Sequence, residues 1–465
     1  MRKCCLMLDN LLKSDSLKVH FIGIGGVSMS ALAAMLLTNG YTVTGSDMKE
    51  SKTVDGLRKQ GINVYIGQCE DNIKNNPGIN LVCYTAAISE DNPELMEARA
   101  EGLYCVERCE LLGAIMKNYK FPINISGTHG KTTTTSMMSS VLIDANVNPT
   151  VSVGGDYKKI GGNLRLGGND YFVCEACEYV ESFLKFFPYV SVILNIDYDH
   201  VDYYRDIEHV RSAFLKFANR THEKGFVVLN GEDENCLLIK DKIERTVYTY
   251  GLSDKAYCYA KNIEYVNGRP SFDVYLKGEL LGKIELSVYG EHNVLNALAV
   301  ILSAIGLGVD FETIKKGLKD FTGANRRFEF KGMYKGAEIV DDYAHHPVEL
   351  ETTISSALKK KAKRTFIVFQ PHTFTRTREL LDGFIETLSK APELTVIDIF
   401  PAREKDPGDI SSVNITEKIP GARYIRTIEE ATAFFEKELK EGDLLITAGA
   451  GDVYKIGEAL VSKDC

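Results

Sequence analysis

Apolar runs of strand length alternate with helix-period segments along almost the whole chain: HFIGIG, LVCYTAA, FPINIS, YFVCEA, SVILNI, TFIVFQ, LTVIDIF and DLLITAG. That alternation predicts βαβ units and parallel sheets, an α/β fold class. Between residues 246 and 290 the pattern changes to short alternating strands with turns such as VNGRP and LKGELLG, which predicts an antiparallel addition to the middle of the chain. The sequence contains no short-period repeat and no low-complexity tract.

Two glycine loops, near residues 23 and 127, each follow an apolar strand and open a helix. One mononucleotide-binding unit needs only one such loop, so two nucleotide domains are expected. The polar stretch MKNYKFP separates them, and TGANRR reads as a hinge before a further βα region. At 465 residues the chain exceeds one ordinary core. Three domains are expected, over residues 1–119, 120–322 and 323–465.

The first loop lies in HFIGIGGVSMSALAAML, where Gly23, Gly25 and Gly26 let backbone approach a phosphate and a helix beginning near Ser28 points its free N–H groups at that anion. Asp47 follows in TVTGSDM, where an acidic group can accept from a ribose hydroxyl. Ser28 stands at the sixth position of G-x-G-x-x-G, which weakens a nicotinamide reading. A glycine turn that binds nothing is the plain alternative.

The second loop, INISGTHGKTTTTSM, is the more specific signal. Backbone N–H groups from Gly127 through Thr128 and His129 to Gly130 can cradle phosphates, Lys131 can reach the β and γ oxygens, and Thr132 can hold Mg²⁺ with Thr133 beside it. Ile125 occupies the place of the first glycine in G-x-x-x-x-G-K-[ST].

Glu175 ends an apolar strand in YFVCEACEYVESFL, a usual location for ligands in parallel sheets, whereas Glu178 and Glu181 read as solvated loop acids. Asp197, Asp199, His200 and Asp202 crowd the next strand end, as either a metal-binding turn or a helix cap. One carboxylate with Thr132 and nucleotide oxygens would suffice for Mg²⁺, with His200 a less usual ligand. The eleven cysteines are scattered and read as reduced thiols, and the lone pair Cys174 and Cys177 lacks a second pair to complete a zinc set.

A net charge of -9 argues against a nucleic-acid surface. The opening MRKCCLMLDNLLKSDS reads as no signal peptide, and no segment approaches the ~18–20 apolar residues of a membrane helix, so a soluble, cytoplasmic protein is expected.

The blocks GIGGVSMSALA, GTHGKTTTT, EACEYVESFL, NIDYDHVDYY, YGEHNVLNALA, NRRFEF, DDYAHHPVE, FQPHTFTRT and TAGAGDVYKIG, in this order, resemble the Mur ligase family and within it the alanine-adding branch. The resemblance implies a Rossmann-like first domain holding a UDP-sugar through Gly23, Gly25, Gly26, Ser28 and Asp47. It implies a P-loop ATPase-like middle domain holding ATP and Mg²⁺, and a Rossmann-like third domain bringing the amino acid. Lys131 and Thr132 would meet the ATP phosphates, Glu175 and His200 the magnesium, and His292, Asn293 and Asn296 the adenine side. Arg327 would reach phosphate across the hinge and Asp342 the ribose, while Tyr343, His345, His372 and Arg376 would surround the amino acid. Lys131, His200 and Arg327 would be the catalytic set.

The reaction implied is amide formation between the carboxylate of UDP-N-acetylmuramate and L-alanine through an acyl phosphate, for peptidoglycan precursors, by a monomer or homodimer. Sister ligases carry a carbamylated lysine after the DHxD block; here that place falls near Phe214, with Lys216 offset. Rival readings are a ligase attaching a preformed peptide to the same sugar, a nicotinamide oxidoreductase, which leaves GTHGKTTTT idle, and an ATP-binding switch, which leaves the HHP and QPH blocks idle. His345 and His346, just before Pro347, could also simply cap a helix, and Asn293 and Asn296 could lie on a solvated helix face.

Overall fold

The computed structural model describes all residues except Met1, Asp15, Ala86, Asp202, Asn267, Arg403, Asp464 and Cys465, and the side chains of residues 2–6. The chain forms three separate sheets. The first contains β1 (Lys18–Ile22), β2 (Thr42–Asp47), β3 (Asn63–Ile66), β4 (Leu81–Tyr84) and β5 (Tyr104–Glu107), all parallel, in the order β3-β2-β1-β4-β5. Its helices are α1 (Arg2–Leu11), α2 (Val27–Thr38), α3 (Lys52–Lys59), α4 (Asp71–Lys74), α5 (Pro93–Ala100) and α6 (Arg108–Met116). The order reverses between β1 and β4, which opens a crevice beyond the C-terminal end of β1, where Gly23–Gly26 lie.

The second sheet runs β15-β14-β13-β12-β11-β10-β6-β9-β7-β8. Its strands are β6 (Phe121–Ser126), β7 (Thr150–Tyr157), β8 (Gly162–Arg165), β9 (Tyr171–Glu175), β10 (Val190–Ile193), β11 (Phe226–Asn230), β12 (Thr246–Gly251), β13 (Cys258–Val266), β14 (Arg269–Leu276) and β15 (Glu279–Glu285). The strands from β7 across to β13 pair in parallel, and β14 and β15 add antiparallel, so the antiparallel addition expected from residue 246 begins only after β13. The helices are α7 (Lys131–Asp144), α8 (Ile207–Asn219), α9 (Glu234–Lys240), α10 (His292–Gly306) and α11 (Phe311–Lys319).

The third sheet holds β16 (Glu329–Tyr334), β17 (Ala337–Asp342), β18 (Thr365–Phe369), β19 (Glu393–Val396), β20 (Arg423–Tyr424) and β21 (Leu444–Ala448), ordered β16-β17-β21-β18-β19-β20. Its helices are α12 (Pro347–Lys359), α13 (Phe374–Glu379), α14 (Leu381–Leu388), α15 (Val413–Thr416), α16 (Ile428–Glu438) and α17 (Tyr454–Val461).

The first two sheets share a core. Leu111, Leu112 and Met116 of α6 join Phe183, Phe186, Phe214 and Phe217 in one apolar cluster. A Cβ at Gly113 would lie 2.1 Å from the Lys185 carbonyl oxygen, so α6 seats directly on that backbone. The third sheet buries its own clusters, around Phe369 and Phe384 on one face and Phe366 and Phe435 on the other. Burial of apolar surface therefore binds the first two units together, and the junction before β16 is where an articulation is expected. Among the described residues no helix is long and apolar enough to cross a membrane.

Candidate functional site

The loop between β6 and α7 is held open by two glycines and one asparagine. Gly127 has φ +145°, and a Cβ there would lie 2.9 Å from Leu194 Cβ. Gly130 has φ +85° and precedes α7 without any side-chain cap, so the first N–H groups of that helix are available to an anion. Asn195, on the loop after β10, accepts from the His129 N–H at 2.8 Å and donates to the His129 carbonyl at 3.1 Å. Thr128 Oγ1 accepts from the Asp197 N–H at 2.9 Å.

Lys131 folds back over this loop. Its Nζ donates to the carbonyls of Gly127 and Thr128 and reaches Glu178 Oε2 at 2.9 Å. Glu178 is only 2% exposed, which corrects its reading as a solvated loop acid. It is buried because the chain turns back at Val180 and Glu181, both at positive φ, and the Tyr204 hydroxyl donates to its carbonyl at 2.6 Å. His200 Nε2 stands 3.6 Å from Glu178 Oε1, and Cys177, Glu178 and His200 offer ligand atoms within 4.8 Å of one another. Burial alone would raise the Glu178 carboxyl, but Lys131 and His200 outweigh it and hold it below the usual carboxylate range. The same neighbourhood lifts His200 to about 10 against the effect of burial, through Cys177 and Glu178.

Glu175 accepts from the Gly154 N–H at 2.5 Å and from the Thr132 side chain, while burial pushes its carboxyl up. Thr132 and Glu175 thus face each other, while Lys131 pairs with Glu178, which His200 also approaches. Cys174 is buried in β9 and donates to the Glu175 carbonyl, so the two cysteines of CxxC point to different surroundings. Eight described cysteines are free thiols. Phe214 is fully buried against Phe183, and Lys216 pairs with Glu181 at 2.9 Å. Asp202 lies outside the described residues.

A cavity of about 690 Å³ opens between the second and third sheets, within the range of small-molecule sites. Of the residues expected at a nucleotide, His129, Gly130, Thr133, His292, Asn293, Asn296, Arg327 and Asp342 line it. Asn293 and Asn296 are buried rather than solvated; Asn296 donates to Asn293 Oδ1, and its own Oδ1 sits 3.1 Å from where a Gly130 Cβ would be. Asp342 accepts the Phe328 N–H at 2.7 Å and the Ala344 N–H at 2.8 Å, and burial raises it to about 6. Phe330 and Val348 leave apolar surface exposed in the wall.

The two arginines of NRR part company. Arg326 turns into the third unit, donating to Asp341 at 2.8 Å and to the carbonyls of Gly449 and Gly451, with its guanidinium over Tyr343 and Tyr454. Arg327 lines the cavity, its guanidinium also over the Tyr343 ring and 3.9 Å from Glu349 Oε1.

Tyr343, His345, His372 and Arg376 gather at the C-terminal ends of β17 and β18. His345 Nδ1 lies 2.9 Å from the Tyr343 carbonyl, its ring meets His372 edge-on, and Arg376 Nη1 is 3.3 Å from His372 Nδ1. Arg376 also reaches across to Asp199 of the second unit. His346 does cap α12, accepting from the Val348 N–H at a long 3.4 Å.

In the first unit, Asp47 Oδ2 accepts from the Gly25 N–H at 2.8 Å, and Gly23 has φ +81°. The carboxylate expected at a ribose therefore also braces the glycine loop. Gly26 and Ser28 are exposed, and Asn163 of β8 donates to the Val27 carbonyl at 2.7 Å, tying this helix start to the second sheet.

Sequence reasoning did not single out Glu349 or Asn195. Glu349, on the first turn of α12, accepts from the His345 N–H at 3.0 Å and lies 3.2 Å from His129 Nδ1. Its place inside the DDYAHHPVE block was the available signal.

Three family models match consecutive stretches: Mur ligase family, catalytic domain, over residues 18–120; Mur ligase middle domain over 125–304; and Mur ligase, glutamate ligase domain, over 326–451. A UDP-N-acetylmuramate–L-alanine ligase of Clostridium novyi is 48% identical over 97% of this chain and 99% of its own. The crystal structure of a UDP-N-acetylmuramate–alanine ligase from Thermotoga maritima is 30% identical with a TM-score of 0.81, covering 96% of this chain and 99% of that one. A murein peptide ligase from Psychrobacter arcticus shares the fold at 21% identity and a TM-score of 0.72, covering 96% of this chain and 98% of that one.

Proposed function

Since the chain belongs to the Mur ligase family, we propose that it is an ATP-dependent ligase joining L-alanine to the carboxylate of UDP-N-acetylmuramate. The observation that carries the reading is the meeting of Arg376 with Asp199, which puts the crevice of the third sheet against the loop after β10, itself bonded to the phosphate loop through Asp197 and Thr128. The 48% identity to the C. novyi ligase supports alanine as the amino acid.

In this reading the γ-phosphoryl group passes to the muramyl carboxylate, the alanine amine attacks the acyl phosphate, and the tetrahedral adduct expels phosphate. Lys131 exchanges the carbonyls of its own loop for phosphate oxygens, and the free N–H groups of α7 take the β-phosphate. Arg327 adds a second cation from the hinge side. His292, Asn293 and Asn296 flank the base, and Asp342 takes the ribose. Arg376, held by Asp199, presents its remaining N–H groups to the alanine carboxylate, with Tyr343, His345 and His372 around the amino acid. The first-sheet loop, Gly23 to Ser28 with Asp47, holds the UDP-sugar. Domain boundaries at 119/120 and 322/323 belong to the same proposal.

The facing pair Thr132 and Glu175 supplies hard oxygen donors that suit Mg²⁺, and His200 would join them as a less usual ligand. Bound there, the ion would screen the phosphate charge from the incoming carboxylate. Everything else falls to positioning and to exclusion of water by closure of the third unit.

The test is product formation and phosphate release with UDP-N-acetylmuramate, ATP and Mg²⁺ across a panel of amino acids and a tripeptide. Alanine should be the best acceptor. Faster turnover with the tripeptide overturns the assignment in favour of a peptide-adding ligase.

A further inference from the structure

A second cluster lies between the phosphate loop and the third sheet. His129, Asp197 and His346 each turn one ligand atom into a common space, all within 4.8 Å of one another. They come from both sides of the junction before β16: His129 and Asp197 from the loops after β6 and β10, His346 from the start of α12. None belongs to the magnesium set proposed above.

Two features mark this as more than an acidic cluster. His346 is 4% exposed and its Nε2 has no hydrogen-bond partner, while His129 Nε2 meets Asp197 at 3.5 Å. Buried ring nitrogens are ordinarily paired, so the unpaired one beside this carboxylate points to an absent partner. The second feature is Glu349, 3.2 Å from His129 Nδ1. Against burial, Asp197 on Nε2 and Glu349 on Nδ1 lift His129 to about 9, so a cation at Nε2 takes the place of the proton shared with Asp197 while Glu349 goes on orienting the ring, as a carboxylate behind a metal-bound histidine does.

The distances allow it. Bonds of ~2.0–2.2 Å in a tetrahedral site put donor atoms ~3.3 Å apart. His129 Nε2 already stands 3.5 Å from Asp197 Oδ2, and the two rings are 4.9 Å apart, so His346 has only to swing inward. That swing gives up its long cap contact with Val348, because ligation through Nε2 moves the ring proton to Nδ1. Two imidazoles and one carboxylate suit a borderline ion such as Zn²⁺ better than Mg²⁺, which prefers oxygen.

We infer that His129, Asp197 and His346 form a site for a zinc-class divalent cation that, when filled, ties the phosphate loop to the third unit. The inference does not depend on which amino acid the enzyme uses.

The experiment uses the full chain, freed of metal by chelation and without nucleotide. Zn²⁺ is titrated calorimetrically, Co²⁺ spectra are recorded, and proteolysis at the 322–327 hinge is followed with and without Zn²⁺. His346→Asn removes the imidazole but keeps a residue that caps helices well, so α12 should retain its start. Asp197→Asn removes the carboxylate charge, and Cys177→Ser addresses the neighbouring Cys177–Glu178–His200 cluster. Zn²⁺ affinity should fall at least tenfold in His346→Asn and Asp197→Asn and stay unchanged in Cys177→Ser. Co²⁺ should give visible bands without sulfur-to-cobalt charge transfer, and Zn²⁺ should slow hinge cleavage in the wild type and in Cys177→Ser but in neither of the other two variants. Undiminished binding in His346→Asn, a charge-transfer band that disappears in Cys177→Ser, or hinge cleavage indifferent to Zn²⁺ would each overturn the inference.

Discussion

Arg376 of α13 approaches Asp199, on the loop after β10, with Nε at 3.4 Å and Nη2 at 3.3 Å from the same carboxylate oxygen. The guanidinium outweighs burial and holds the Asp199 carboxyl well below the usual range. One edge of the guanidinium is thereby occupied, and Nη1 at the other end lies 3.3 Å from His372 Nδ1.

If Arg376 binds alanine, Arg376→Ala should raise the alanine KM by roughly thirty-fold to several hundred-fold, from a lost charge-assisted contact of ~2–4 kcal/mol. Arg376→Lys should recover little of it, and Asp199→Asn should give a smaller rise, about ten-fold, because it loosens the arginine without removing it. The KM for ATP should barely move. Steady-state kinetics with each substrate varied in turn would expose the opposite pattern, a rise in ATP KM alone, and return Arg376 to the phosphates.

Lys131 and Glu178 form a pair that is largely closed to solvent, 16% and 2% exposed at the side chains. Lys131→Ala should abolish phosphate release and also destabilise the second unit by about 3–5 kcal/mol, since it strands a buried carboxylate. Adding Glu178→Gln should restore most of the stability and none of the activity, while UDP-sugar binding survives in both. Thermal melts with ligand titrations separate the two effects; recovery of activity in the double variant would mean that Lys131 serves only to neutralise Glu178.

At Gly154 the obstacle to a side chain is Glu175 itself: a Cβ would lie 2.7 Å from Oε2. Gly154→Ala should push that carboxylate aside and raise the Mg²⁺ concentration for half-maximal activity several-fold, with a small effect on folding. A Mg²⁺ dependence identical to wild type would remove Glu175 from the metal set.

Burial moves Asp342 from 3.8 up to about 6. A carboxyl raised in the folded state contributes stability that is full below its unfolded value and is lost as pH rises through about 6, on the order of 3 kcal/mol. Asp342→Asn carries a pH-independent penalty, because one amide oxygen cannot serve both the Phe328 and Ala344 N–H groups. Its melting temperature relative to wild type should nonetheless climb between about pH 4 and pH 7. A parallel pair of curves would show that Asp342 titrates as an ordinary aspartate.

Much of the architecture was legible because hydrophobic runs and glycine loops are local signals. The HFIGIG and FPINIS runs are β1 and β6, and each hands over to a glycine loop and a helix. The site was less legible where the chain meets itself. Glu178 looks like any loop acid until residues 180–181 turn and bury it beside Lys131. Asp47 is an acid closing the second strand, but only the fold puts it under the Gly25 N–H. Glu349 sits in a helix start whose sequence does not reveal that the phosphate loop of another unit comes within reach. Arg326 and Arg327 are the same residue side by side, and no periodicity could assign one to the third unit and the other to the cavity.

That last pair has a mechanical result. Arg326 is fastened to Asp341 and to the Gly449 and Gly451 carbonyls, while the next residue projects at the nucleotide side. If the third unit closes and Arg327 meets phosphate as proposed, one peptide unit is the whole drive train between that body and the cation. Delivery of the charge would then keep pace with the diffusion of the third unit, and solvent viscosity should slow turnover even though the bonds made lie far from the bulk.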